Sequence, residues 1–123
     1  MRAETLRELA REAPLRVTIA GGCMTPGIAD GTTLEVAPAR VYWPGDVIVF
    51  RRGDGRLVAH RVIGFRPGKW LFTQADGSAA PDSAVNPADI VGRALVEVSL
   101  ADRAKALTAF ARLAASRLRA KFA

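Results

Sequence analysis

One cysteine and one histidine, Cys23 and His60, are the residues of this chain best suited to covalent or proton-transfer chemistry. Cys23 follows Gly21-Gly22 and precedes Met24-Thr25-Pro26-Gly27. Glycines there let the backbone bend sharply and let a substrate carbonyl approach the amide N–H of residue 23, as an oxyanion site requires. A cysteine attacks as its thiolate and needs a base or a positive field nearby. His60, in Val58-Ala59-His60-Arg61-Val62, can supply one. A carboxylate usually orients such an imidazole, and Asp76 and Asp82, which share one loop, are both candidates. Each residue also has a plainer reading. A single Cys is more often a small buried apolar residue, and an Asp in a Gly/Ser/Pro loop is usually a turn former.

These residues must be held by a small framework. The chain of 123 residues, half of them hydrophobic, fits one domain with a real core. One Cys forms no internal disulfide, and one Cys with one His cannot complete a zinc site, so neither a metal nor a cofactor is expected. The N-terminus alternates charges where a secretory signal would be apolar, and no apolar run reaches the roughly 18 residues of a spanning helix. No transmembrane segment and a cytoplasmic location are the expectation. The net charge is +6, and most of it lies in residues 101–123, where Arg103, Lys105, Arg112, Arg117, Arg119 and Lys121 face Asp102 alone.

Along the chain, residues 3–13 read as a short helix with Leu6, Leu9, Ala10 and Ala13 on one face, stopped by Pro14. Short apolar or alternating runs follow at 15–19, 33–36, 47–50, 57–65, 70–73 and 90–100, separated by Gly-, Pro- and Asp-rich turns. They predict a mainly β core over 15–100, rolled or sandwich-like. Residues 101–122 are the clearest helix. Leu100, Ala104, Leu107, Ala111, Ala114, Leu118 and Phe122 form an apolar stripe joined by Phe110, with basic residues on the other faces. The face containing Leu107, Phe110, Ala114 and Leu118 is expected to pack on apolar surface.

The order of these segments resembles a known family. Gly21-Gly22-Cys23-Met24-Thr25-Pro26 resembles the Ser-Met-x-Pro box of signal peptidase I and its self-cleaving repressor relatives, with Cys in the serine slot. Asp30 to Val36 looks like the next box, and Pro44-Gly45-Asp46-Val47-Ile48-Val49-Phe50 is similar to the family's Gly-Asp-Ile-Val strand. Val58-Ala59-His60-Arg61-Val62-Ile63 is similar to the strand bearing the base, which is His in the archaeal and endoplasmic-reticulum branch. Thr73-Gln74-Ala75-Asp76 looks like that branch's Thr-Lys-Gly-Asp box, Asp82 falls on its second acidic position, and Val91-Gly92-Arg93-Ala94 resembles its closing strand. The resemblance covers residues 17–98.

It implies a coiled β-sheet, barrel-like catalytic domain with a short N-terminal helix and a C-terminal amphipathic helix. It also implies a peptidase that cleaves leader or precursor peptides through Cys23, His60 and Asp82, with Asp76 as the alternative acid. Gly21, Gly22, Met24 and Pro26 are the expected substrate-contacting residues. Cys23 in place of serine implies a thiol mechanism, a changed acyl-transfer preference or lost activity, and Gly21 lacks the hydroxyl that often assists the family's oxyanion site. A module that binds extended peptides without cutting them is the alternative. No nucleic-acid motif accompanies the basic tail. Its pattern instead suits packing on the domain, a partner, or peripheral contact with an anionic membrane through 101–122.

Overall fold

A computed structural model of the chain describes residues 2–18, 33–76, 78 and 80–122. The first element, α1 (Ala3–Glu12), ends as the sequence requires: Ala13, which precedes Pro14, is fully extended and cannot continue a helix. The arc that α1 turns inward holds Ala3, Leu6 and Arg7, and Leu9 is left half-exposed. Arg7 accounts for the shift from the expected face, because its guanidinium donates to the carbonyls of Pro87 and Ile90 at 2.8 and 3.2 Å.

Among the described residues six strands follow: β1 (Leu15–Thr18), β2 (Thr33–Ala37), β3 (Val47–Arg51), β4 (Leu57–Arg66), β5 (Trp70–Gln74) and β6 (Ile90–Ala94). They form one antiparallel sheet in the order β1-β2-β6-β3-β4-β5. The protein is therefore mainly β with a helix at each end, and the strands make a single sheet, not two stacked ones. Hairpins join β3 to β4 and β4 to β5. The chain then crosses back so that β6 enters between β2 and β3. Strand character predicted for 90–100 stops at Ala94, and residues 95–99 lead directly into α2 (Leu100–Phe122).

Alternation along β3 divides the core. Val47 and Val49 join Val17, Leu34, Val36, Ala59 and Val91 beneath α1, while Ile48 and Phe50 join Val58, Val62, Leu71, Val85 and Ile90 on the opposite face. The four apolar residues 47–50 are all buried, which is why that run shows no polar alternation.

Helix α2 starts with a capping box. Ser99 Oγ accepts from the Asp102 amide, and Asp102 Oδ2 accepts from the Ser99 amide, both at 3.0 Å. The helix packs on β4 and contributes Ala106, Ala109, Phe110 and Leu113 to a cluster with Ile63 and Phe72. Gly64 makes this possible, since a Cβ there would run into the Phe110 ring. Buried Asp46 pins the first turns. It accepts from the Trp43 amide at 2.9 Å and pairs with Arg103 at 3.2 Å. These anchors fix the rotation of the helix and correct the expected packing face. Of the residues predicted to pack, Phe110 does, whereas Leu107 and Leu118 remain 56% and 57% exposed. No described helix is long and apolar enough to cross a membrane.

Candidate active site

His60 lies in the middle of β4, opposite Ile48 of β3, and its side chain belongs to the face of Phe50, Val58 and Val62. The Phe50 ring meets the imidazole edge-on, with centroids 5.5 Å apart and planes at 83°. His60 is buried, at 6% exposure. A buried imidazole needs polar partners, and the strand itself provides none.

The partner comes from the β5–β6 connection. Residues 82–85 fold back along the outer edge of β5. Leu71 and Val85 exchange backbone hydrogen bonds at 3.1 and 2.7 Å, and the Asp82 amide donates to the Thr73 carbonyl at 2.9 Å. This stitching covers the edge strand and sets the Asp82 side chain over the sheet. Asp82 Oδ2 lies 2.6 Å from His60 Nδ1 and accepts from the fully buried Thr73 hydroxyl at 2.8 Å. A carboxylate only accepts, so Nδ1 is the donor to Asp82, and in the neutral imidazole Nε2 then carries the lone pair. Nε2 is buried and has no hydrogen-bond partner among the described residues. The pair lines a cleft of about 760 Å³ that also includes Phe50, Trp70, Asn86 and Asp89.

Asp76, the other candidate acid, goes elsewhere. Its two oxygens accept from Arg61 Nε and Nη2 at 2.8 and 2.7 Å, a bidentate pair on the opposite face of β4. Arg61 also donates to the Gly45 carbonyl at 2.7 Å and lies 3.9 Å from Asp102. The Asp76 hydrogen bond, opposed by partial burial, raises the Arg61 guanidinium pKa above its ordinary value. Of the two aspartates, then, the structure brings Asp82 to His60 and not Asp76. Cys23, with Gly21, Gly22, Met24 and Pro26, lies outside the described residues.

Sequence reasoning missed two contributors. Thr73 fixes the Asp82 carboxylate. Its signal was a hydroxyl ending the otherwise apolar run Trp70-Leu71-Phe72-Thr73, at a position that pairs with inward-facing Val62. Arg61 removes Asp76 from competition, a role that no local pattern marks. Among the described residues no group of three His, Cys, Asp or Glu side chains is placed to hold a metal ion. Comparison with protein-family models and with curated proteins finds no match to this chain.

An imidazole whose Nδ1–H is held by a fixed carboxylate has one chemical capacity to spare. Nε2 can take a proton from a nearby hydroxyl or thiol and return it to a leaving group.

Proposed function

We propose that the protein is a peptidase working through a covalent acyl-enzyme, with Cys23 as nucleophile, His60 as general base and Asp82 as its orienting acid. The observation that carries this reading is the Thr73–Asp82–His60 chain of hydrogen bonds, which ends in a buried Nε2 with no partner among the described residues. The segment Gly21-Gly22-Cys23-Met24-Thr25-Pro26 supports it from the sequence side.

In this mechanism His60 Nε2 takes the Cys23 thiol proton and the sulfur attacks a peptide carbonyl. The amide N–H of Cys23 stabilises the oxyanion. As the C–N bond breaks, Nε2 gives its proton to the departing amine, leaving a thioester on Cys23. Water, deprotonated by the same nitrogen, then releases the acid and restores the thiol. Substrates are leader or precursor peptides bound in extended form.

The test is incubation with candidate precursor peptides, read by intact mass. A mass gain equal to the acyl portion, absent in Cys23→Ala and strongly reduced in His60→Ala, is the expected result. Labelling gives a second readout: Cys23 should react with iodoacetamide below about pH 8, and His60→Ala should move that reaction to higher pH. Peptide binding without cleavage, together with labelling that is slow and insensitive to His60→Ala, would instead make this a non-catalytic peptide-binding module.

A further inference from the structure

Helix α2 has three faces, and only one of them is used by the fold. At about 100° per residue, Ala106, Ala109, Phe110 and Leu113 form the docked arc. Roughly 130° around the helix lies the stripe Leu100, Ala104, Leu107, Ala111, Ala114 and Leu118, every residue of it exposed. Leu100 is 86% exposed, and Leu107 and Leu118 are more than half exposed. The third arc is a row of exposed cations seven residues apart, Lys105, Arg112 and Arg119. The one acidic residue of the helix, Asp102, is occupied by the Ser99 cap and faces Arg61.

We propose that α2 is an interfacial helix that lays this stripe onto an anionic membrane surface. An apolar stripe along about 27 Å of helix, edged by a purely cationic row, is the arrangement that sinks a helix into the headgroup boundary while its Lys and Arg side chains reach the phosphates. Two further features favour a bilayer over a protein partner. From Leu100 to Leu118 the stripe consists of Leu and Ala alone, without the aromatic and Arg anchors that dominate protein interfaces, and the one aromatic residue of the stripe, Phe122, stands at the helix end. Pairing with a second copy would bring two cationic rows together with no acidic residue to neutralise them. The proposal is independent of the chemistry at His60, because α2 sits on the other face of β4.

Flotation of the full chain with vesicles tests it. Binding is expected to phosphatidylcholine vesicles that contain phosphatidylglycerol, not to phosphatidylcholine alone, and should be lost as salt rises from about 0.05 to 0.5 M. Leu107→Gln with Leu118→Gln should weaken partitioning at least about ten-fold. Replacing Lys105, Arg112 and Arg119 by Ala should weaken it about a hundred-fold, roughly five-fold per charge. All five side chains are exposed, so an unchanged melting temperature should show that the fold is intact. Failure of the wild-type chain to float with anionic vesicles at low salt would overturn the proposal, as would equal flotation of the Gln variant. So would light scattering showing a dimer that the Gln variant dissolves, which would assign the stripe to a second copy. A monomer that does not float would leave the stripe to a protein partner.

Discussion

His60 and Arg61 are consecutive residues of β4, each holds one aspartate from the same β5–β6 loop, and the two pairs are left with different hydrogen-bonding capacity. Strand alternation sends them to opposite faces. Arg61 and Asp76 close on each other: two oxygens meet two nitrogens, the third nitrogen donates to the Gly45 carbonyl, and Asp102 stands nearby. That arrangement ties the loop and the first turn of α2 to the sheet. His60 and Asp82 are left open. One imidazole nitrogen is fixed by Asp82, itself fixed by Thr73, and the other has no partner among the described residues. A closed pair contributes to structure, whereas an open one, in a cleft, has a lone pair to offer. The lesson is that pairing alone does not mark a functional carboxylate. What marks it is whether the group it holds has unspent capacity.

The strongest way to break the comparison is to exchange the two acids. Asp82→Asn should reduce peptide cleavage by roughly 10³–10⁴, because the amide no longer enforces the Nδ1–H tautomer, with the circular dichroism spectrum unchanged. Asp76→Asn should stay within about ten-fold of wild type in the same assay. A reversed ranking would move the orienting role to Asp76 and sink the open-versus-closed distinction.

Thr73 sharpens it at a smaller scale. Thr73→Val keeps the shape but removes the hydroxyl that fixes Asp82, and cleavage should fall about 10–100-fold, with Thr73→Ser restoring most of it. Equal losses in Val and Ser would mean that packing, not the hydrogen bond, matters there. On the closed side, Arg61→Met should lower stability by about 1–3 kcal/mol, read by urea titration, while cleavage changes only a few-fold. A loss of cleavage as large as that of Asp82→Asn would show that the two faces are not separable.

The smallest effect is expected at Asp102. The Ser99 amide N–H, which it accepts, holds its carboxyl below the ordinary value of 3.8. A depressed folded-state pKa stabilises fully above the ordinary value and is lost as pH falls through the folded value. Asp102→Asn should therefore cost about 0.5–1 kcal/mol near neutral pH, and the difference from wild type should vanish in melts well below pH 4. A penalty that persists in acid would assign the effect to packing.

Much of the framework was legible in one dimension. Helical periodicity located α1 and α2, because a helix places every third and fourth residue on one face regardless of what lies beyond it. Gly- and Pro-rich turns bounded the strands, since turn conformations are set by the residues in the turn. The exception, strand character read to residue 100, failed because Val96 and Val98 carry β propensity whether or not a neighbouring strand is present to pair with them. The lone His and the two loop aspartates were recognisable as candidates from type alone.

Residue types and local spacing by themselves determined that the chain makes a β core flanked by two helices, and that any proton chemistry would centre on His60. Two questions were left to the tertiary structure. Asp82 rather than Asp76 reached His60 because the loop pairs with the outer edge of β5 and because Arg61, one residue along, captured Asp76 on the other face. Helix α2 turned Ala106, Phe110 and Leu113 inward in place of its more apolar stripe. Gly64 leaves room for one aromatic ring, and the anchors of Arg103 at Asp46 and at the Pro44 carbonyl set the rotation. Both outcomes depend on partners distant in sequence, so no local pattern could decide them.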